Sequence, residues 1–273
     1  MIDTHCHLDD KRFDHDRSQV MQRAQAAGVR HIVIPAVSPK NFAAVKQAAE
    51  AYPGGAYALG IHPLAIPEVS PVDLEHLQEA VALAMGDPRF VAIGEIGLDY
   101  YLSHLKTDEM PQKQEFFYQA QLKLARRYDL PVLVHIRRAQ DRVLKYLRQV
   151  PDVRGVAHAF NGSEQQARGF IERGFYLGGG GAMTFSGSKR IRRLVSMLPI
   201  EHWVLETDAP DISPAWLHSH APGESPKRNE PAQVAGIAQV MAELKEVSVE
   251  HIQAHTRMNA FALLPRLQAM AHP

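Results

Sequence analysis

The sequence predicts an α/β fold, a single (β/α)8 TIM barrel with extra C-terminal helices. Three observations support this prediction: short apolar runs alternate with longer amphipathic segments, there are eight such runs, and polar residues stand at the C-terminal ends of many of them. Alternating strands and helices form parallel sheets, and eight repeats are typical of a closed barrel. The alternative is an open doubly wound sheet, but its polar residues would gather at one switch point.

The eight predicted strands are short and mostly apolar. They lie at IDTHC near the N-terminus and at 31–37, 57–63, 91–99, 131–137, 154–160, 175–183 and 202–208. The run GGGG at 178–181 falls in the seventh strand and lacks the spacing of a phosphate-binding glycine loop. We therefore expect these glycines to permit close backbone approach.

Amphipathic segments between the runs predict the helices. In chain order they are DRSQVMQRAQAAG, PKNFAAVKQAAEAY, PVDLEHLQEAVALA, EMPQKQEFFYQAQLKLARRY, AQDRVLKYLRQV, SEQQARGFIERG and SGSKRIRRLVSML. Gly28, Gly86 and Gly174 stand where helices stop. A Pro-rich loop over 210–231 follows the eighth strand, and two more helices are predicted near 231–245 and 248–262. No linker divides the chain, so residues 1–273 are predicted to form one barrel domain.

Composition narrows the classes of function. The hydrophobic fraction of 45% allows a large core, and the 30 basic residues balance the 30 acidic ones, which argues against a globally basic nucleic-acid coat. The single cysteine, Cys6, excludes an internal disulfide and suits a reducing compartment. No apolar run approaches the ~20 residues that span a bilayer. We expect a cytoplasmic protein without a membrane partner, and a monomer by default.

Two histidines near the N-terminus, His5 and His7, flank Cys6. Side chains alternate along a strand, so Asp3, His5 and His7 are expected to share the inward face of the barrel, and Cys6 to face outward as a small buried residue. Two inward imidazoles can chelate one cation, although a His-x-His pair alone is a weak signal.

Other strands carry polar residues inside or at the end of apolar runs. An inward-facing charge in such a run is costly unless it is paired or binds a metal. Any one of these residues could be a satisfied core residue, but together they predict a centre for zinc, manganese, nickel or iron. Six donors fit two ions ~3.5–4 Å apart better than one structural zinc. The six are His5, His7, Glu95, His135, His158 and Asp208.

At this point a family resemblance is evident. The motifs IDTHCHLD, GIHP, GEIGLDYY, VHIRRA, HAFNGS and LETDAP resemble, in order and spacing, those of the TatD family of metal-dependent deoxyribonucleases, from residue 1 to about 265. The family belongs to the amidohydrolase-like barrel superfamily. The resemblance implies two divalent ions (Zn, Mn, Mg or Ni). It also implies a phosphodiesterase that cleaves DNA or a small phosphodiester with a metal-activated water, with exonuclease action from a 3′ end as one form of this activity.

The resemblance also implies a role for each matching residue. His5 and His7 would bind the first ion, Glu95 would bridge both ions, and His135 and His158 would bind the second. Asp208 would bind the first ion and accept a proton from the attacking water, and His62 of GIHP would contact the substrate near the scissile group. The chain departs from the family at Leu102 (often Arg), Arg138 (often Asp) and Ala159 (often Cys), of which Leu102 and Arg138 bear on substrate preference.

Several further residues have two open interpretations. Arg137 lies two residues after His135, so it could contact substrate phosphate or form an ion pair with Glu206. Asp3 and Asp99 are expected to accept hydrogen bonds from candidate metal-binding imidazoles. The basic run KRIRR (189–193) is expected to be a solvated helix face rather than a polyanion contact. The segment KRNEP (227–231) either faces the substrate or anchors its loop.

Two alternative functions stay open at this point. The same donors would serve an amidohydrolase or esterase that acts on a small substrate. A barrel that stores metal or binds nucleic acid without cleaving it is disfavoured, because such a role does not call for an acid such as Asp208.

Overall fold

Eight parallel strands pair in chain order, as the sequence predicts for a barrel. The computed structural model describes residues 1–107, 109–218 and 225–271. Its strands are β1 (Ile2–Asp3), β2 (His31–Pro35), β3 (Gly55–Leu59), β4 (Phe90–Asp99), β5 (Val132–Arg137), β6 (Gly155–Ala157), β7 (Phe175–Gly179) and β8 (Trp203–Leu205). Backbone hydrogen bonds close the seam between the last and first strands: Thr4 N donates to Leu205 O (3.0 Å), and Asp208 N donates to His5 O (2.8 Å).

Helices follow the strands and continue beyond the eighth. They are α1 (Arg17–Ala26), α2 (Phe42–Ala51), α3 (Pro71–Ala84), α4 (Met110–Arg127), α5 (Gln140–Leu147), α6 (Glu164–Ile171), α7 (Lys189–Met197), α8 (Val234–Lys245), α9 (Val249–Leu263) and α10 (Pro265–Ala271). Helix α3 begins as its sequence predicts, because Ser70 and Asp73 form a capping box and Pro71 occupies the first turn. No helix among the described residues is long and apolar enough to cross a membrane.

Six of the eight predicted strands end two to four residues before their predicted bounds, namely β1, β2, β3, β6, β7 and β8, and two of these bear on the site. Strand β1 stops at Asp3, before the two histidines, and β7 stops at Gly179, after which Gly181–Thr184 form a short 3-10 helix. The predicted bounds of 175–183 for the seventh strand were therefore too long. Side chains alternate between two faces only within a strand. Beyond a strand end, the side a polar side chain faces at the barrel mouth therefore cannot be read from its spacing in the sequence.

A separate apolar cluster fills the barrel and is covered at one end. Its strand members include Ile2, Val33, Ala58, Leu133, Val156 and Val204, and it continues into Leu263, Leu264 and Leu267 of the C-terminal helices. Arg266 of α10 donates to Asp87 O (2.7 Å), just before β4 begins. Helix α10, which the sequence did not predict, therefore covers the N-terminal end of the barrel, and a site can open only at the opposite end.

A buried carboxylate joins α4 to its neighbours. Glu115 accepts hydrogen bonds from Tyr100 OH (2.6 Å), from Arg142 and from Tyr146 OH. Burial raises the pKa of Glu115, but Arg142 and the two hydroxyls outweigh it and hold the pKa below its usual value. The ionised carboxylate therefore organises the packing of α4 against α5.

We expect Glu115→Gln to lower the free energy of unfolding by about 1–3 kcal/mol, because an amide cannot accept all of these donors and leaves buried groups unpaired. Urea denaturation followed by circular dichroism measures the change. The exposed Glu79→Gln is the matched control and should stay within ~0.5 kcal/mol of wild type. Equal stability of the two variants would contradict the prediction.

Candidate metal centre

Glu95 lies at the centre of a group of imidazoles at the barrel mouth. Its Oε2 is 3.1 Å from His5 Nε2 and 3.5 Å from His7 Nε2. Its Oε1 is 3.0 Å from His135 Nδ1 and 3.4 Å from His62 Nε2. The side chain is only 2% exposed. Each carboxylate oxygen thus faces a different pair of imidazoles, as a carboxylate that bridges two cations would.

Asp208 faces the same space from the loop after β8. Its Oδ1 is 3.4 Å from His158 Nε2 and 3.7 Å from both His5 Nε2 and His7 Nε2. Its backbone is left-handed (φ 56°), which is uncommon for a residue other than glycine. Burial raises the pKa of Asp208, but His158 and the other imidazoles outweigh it and hold the pKa at about 2.

The donor atoms fit divalent cations. Three groups have ligand atoms that lie within 4.8 Å of one another: His5, His7 and Asp208; His62, Glu95 and His135; and His5, His158 and Glu206. The His5 and His158 rings stack at 3.6 Å, and His5 Nδ1 is buried without a hydrogen-bond partner. Four imidazoles and two carboxylates around one small space are the donor types that bind zinc, manganese or nickel.

The partition of donors between two ions stays a prediction. The family resemblance groups His158 with His135, whereas here His158 Nε2 lies beside Asp208. His62 Nε2 lies near Glu95, yet His62 Nδ1 accepts a hydrogen bond from Leu64 N (2.9 Å). A neutral imidazole that accepts at Nδ1 carries its proton on Nε2, so His62 Nε2 is a donor and not a free metal ligand. This tautomer supports the predicted substrate contact.

The buried carboxylates and imidazoles of the cluster shift one another's pKa values. Burial raises the pKa of Glu95, but the surrounding histidines, His62 and His5 first among them, hold it well below its usual value. Burial lowers the pKa of His7, but Glu95 and Asp208 outweigh it and raise the pKa to about 9. Because an imidazole must be neutral to bind a metal, a cation at His7 competes with a proton.

Two carboxylates hold imidazoles of the cluster from outside. Asp99 Oδ2 is 3.2 Å from His135 Nε2, as predicted, and its other oxygen accepts from Tyr101 N (2.8 Å). Glu206 Oε2 is 3.1 Å from His158 Nδ1; both atoms are buried, and neither makes a hydrogen bond of good geometry with any described residue, so the contact is an ionic one. Such contacts fix the tautomer and orientation of metal-binding histidines.

The position of Glu206 also explains why residue 178 is a glycine. Its Oε1 accepts from Ala159 N (2.6 Å), and its carboxylate packs directly on Gly178, where a Cβ atom would lie 2.3 Å from Oε2. The close approach predicted for GGGG is therefore to a side chain. The sequence contained a signal for this role, because Glu206 lies two residues before Asp208 and could share its face.

Two expected contacts were wrong. Arg137 does not pair with Glu206; it lies over the Tyr101 ring, with Asp99 4.0 Å away. Asp3 does not contact an imidazole; it accepts hydrogen bonds from Thr207 N (3.0 Å) and Thr207 Oγ1 (2.6 Å). Because β1 ends at Asp3, alternation does not continue to His5, and Asp3 instead joins β1 to β8. Burial raises the pKa of Asp3 to about 8.

Other residues singled out in the sequence lie outside the cluster. Cys6 is buried in the apolar layer between strands and helices. Asn229 anchors its loop, donating to Thr207 O (2.9 Å) and Asp211 O (2.8 Å). In the KRIRR run, Ile191 is buried and Arg190 is exposed, as expected for a solvated helix face. None of the described histidines that we expected to be non-functional joins a donor group, and His220 and His272 lie outside the described residues. These described histidines are His15, His31, His76, His104, His202, His218, His251 and His255.

We expect Glu206→Gln to weaken metal binding by roughly 10–100-fold, because the amide no longer holds His158 by a charged contact. Competition with a coloured chelator measures the affinity. The exposed Glu201→Gln, which lies five residues earlier, is the control and should bind metal like wild type. Unchanged affinity in Glu206→Gln would exclude the orienting role.

Comparisons with known proteins agree with these observations. Residues 2–265 match the family described as TatD related DNase. The "Uncharacterized metal-dependent hydrolase YjjV" of Escherichia coli (strain K12) is 38% identical over 263 residues, 96% of each chain. The "3'-5' ssDNA/RNA exonuclease TatD" of Cronobacter sakazakii is 33% identical over 96% of this chain and 97% of that protein. The crystal structure of E. coli YjjV superposes with a TM-score of 0.87 at 37% identity, covering 97% of this chain and 98% of that one.

Proposed function

Because this chain belongs to the family of TatD-related DNases, we propose that it is a divalent-metal-dependent hydrolase and, more narrowly, a phosphodiesterase that cleaves DNA. The observation that carries the proposal is Glu95, whose two oxygens face separate pairs of imidazoles in a buried position. The name of the Cronobacter relative supports an exonuclease that acts from the 3′ end of single strands.

Divalent cations bound by these residues would supply a water of pKa lowered toward ~7 and positive charge beside the phosphoryl group. The surrounding imidazoles hold the pKa of Asp208 at about 2, so the carboxylate is ionised at neutral pH, and we assign to it the proton of the attacking water. His62, with its proton on Nε2, donates to a substrate oxygen. Arg137, which lies over Tyr101 of the loop after β4, supplies a second hydrogen-bond donor to substrate phosphate.

The number and identity of the ions belong to the proposal. We propose two ions per chain, held by His5, His7, Glu95, His135, His158 and Asp208, with Zn, Mn, Mg or Ni as candidates. The single, buried cysteine supports a reducing, cytoplasmic location, since no disulfide can form within the chain. We further propose that the protein acts as a monomer.

The test begins with protein stripped of metal and reloaded separately with Mg, Mn or Zn. A single-stranded oligonucleotide labelled at its 5′ end is incubated with each form and resolved on a denaturing gel. We expect stepwise shortening of the labelled strand, with release of mononucleotides. Intact DNA under all conditions, together with turnover of an ester or amide panel, would favour the amidohydrolase alternative instead.

A further inference from the structure

The loop after β4 holds two guanidinium groups against one aromatic ring. Arg137 Cζ lies 3.9 Å from the centroid of the Tyr101 ring, and Arg138 Cζ lies 4.7 Å from it. The Tyr101 side chain is 42% exposed. A cation is attracted to the face of a tyrosine ring, so Tyr101 holds two otherwise flexible side chains close together at the barrel mouth.

These two cations are available to a ligand. Arg138 lies over the Tyr101 ring and makes no ion pair or hydrogen bond with the residues that the structure describes. Arg137 has one acid nearby, Asp99 at 4.0 Å. An exposed, preorganised guanidinium is suited to phosphate, which it can bind through two parallel hydrogen bonds, and Arg138 has no acid to compete for it while Arg137 has only one distant acid.

The backbone at Arg138 is also unusual. Its φ is 55°, in the left-handed region that glycine adopts most readily, at the turn between β5 and α5. A side chain at such a position costs stability, and residues of this kind are concentrated at functional sites. The position would be more stable as glycine, yet the chain carries an arginine there.

The two arginines, Arg137 and Arg138, lie beside the candidate metal centre. Asp99 Oδ2 is 3.2 Å from His135 Nε2 and 4.0 Å from Arg137 Nη1. One carboxylate oxygen therefore separates the guanidinium from an imidazole of the cluster. A phosphate held by Arg137 and Arg138 would be close to a phosphoryl group at the metal centre, but distinct from it.

We propose that Arg137 and Arg138, held in place by Tyr101, bind the phosphate next to the scissile phosphodiester of a nucleic acid strand. This inference rests on the proposed phosphodiesterase function and narrows its substrate class to strands with at least two phosphates. Every nucleotide adds one phosphate, so a strand presents a second anion beside the reacting one. Tyr101 acts here as a positioning residue.

The test compares the dinucleotide TpT with its 5′-phosphorylated and 3′-phosphorylated forms. Wild-type enzyme should cleave one phosphorylated form with a kcat/KM roughly tenfold higher than TpT, mainly through KM, as expected for one charged contact. In Arg138→Gly this preference should fall to about one to two-fold. Arg148→Ala, an exposed arginine just beyond the far end of α5, is the matched control and should keep the preference.

The Arg138→Gly variant also shows whether a lost phosphate preference reflects misfolding, because its thermal stability can be measured in the same sample. Because it relieves the left-handed strain, it should raise Tm by about 2–4 °C while the phosphate preference is lost. Arg138→Asn, which also tolerates this backbone, should lose the preference as well. Tyr101→Phe should retain the preference, because the ring remains, and Tyr101→Ala should lose about half or more of it.

Binding provides a readout that does not depend on turnover. In an Asp208→Asn background, a fluorescein-labelled oligothymidylate is titrated at several salt concentrations by anisotropy. Adding Arg138→Gly should lower the slope of log Kd against log salt by about 0.7, the value for one phosphate contact on a single strand. An unchanged slope would overturn the proposal.

The two proposals fail in different ways. If wild-type protein cleaves none of the dinucleotides or longer strands with any metal, the phosphodiesterase function is overturned and this inference with it. If it cleaves TpT and both phosphorylated forms equally well, or if Arg138→Gly keeps the preference, this inference alone is overturned.

Discussion

Asp208→Asn is expected to lower kcat by roughly a thousandfold or more while the metal content stays near that of wild type, a loss within the range for a general base. Asparagine keeps the size of the side chain and one oxygen donor, and that oxygen can still face His5, His7 and His158. It cannot accept a proton from water at neutral pH. Chemistry should therefore be lost while the cluster stays assembled.

Single-turnover cleavage of labelled DNA measures kcat, and elemental analysis measures the metal in the same sample. Asp211→Asn is the matched control, because Asp211 is three residues away, is 56% exposed and pairs with Arg12. It should remain within about threefold of wild type. Near wild-type turnover by Asp208→Asn would mean that another group accepts the proton of the attacking water. Loss of metal would show that Asp208 acts mainly as a metal ligand.

The residues of the candidate centre could be found from the sequence because each one interrupts or follows an apolar strand run. Glu95 follows a run of buried residues in β4, and His135 does the same in β5. In a closed barrel the C-terminal ends of the strands meet at one mouth, so donors from five separate segments of the chain are brought together by topology. The convergence of these donors follows from the order of the strands and does not depend on the contacts of individual side chains.

Contacts between side chains were harder to predict, because they depend on where a strand ends. Alternation placed Asp3 on the face of His5, but β1 stops at Asp3, and its carboxylate meets Thr207 instead. The partner of Arg137 was wrong for a related reason. Tyr101 lies in a loop whose course no periodic pattern describes, and its ring attracts the guanidinium.

The tautomer of His62 and the orienting role of Glu206 also lay beyond the sequence. The first depends on a hydrogen bond from Leu64 N, which forms only because the chain turns at Pro63. The second depends on Gly178, since any larger residue would collide with the carboxylate. Both features come from the local backbone course rather than from residue type.

Glu95→Gln is expected to lower kcat/KM by at least roughly a thousandfold and to reduce the metal content to about one equivalent or less. The glutamate presents two equivalent oxygens, one to His5 and His7 and the other to His62 and His135. An amide has one oxygen and one NH2 group, so it can face only one side as a ligand. The buried negative charge that offsets two cations is lost as well.

Elemental analysis after remetallation and kinetics on labelled DNA measure the two effects. Glu115→Gln is the matched control, because it makes the same change at a buried carboxylate outside the cluster; it should lose stability and keep its metal. Of the side chains in the described ranges, Glu95 alone contacts both imidazole pairs, so its replacement should distinguish a two-ion centre from a one-ion centre. Two equivalents of metal together with near wild-type activity in Glu95→Gln would mean that the ions are held without a bridging carboxylate.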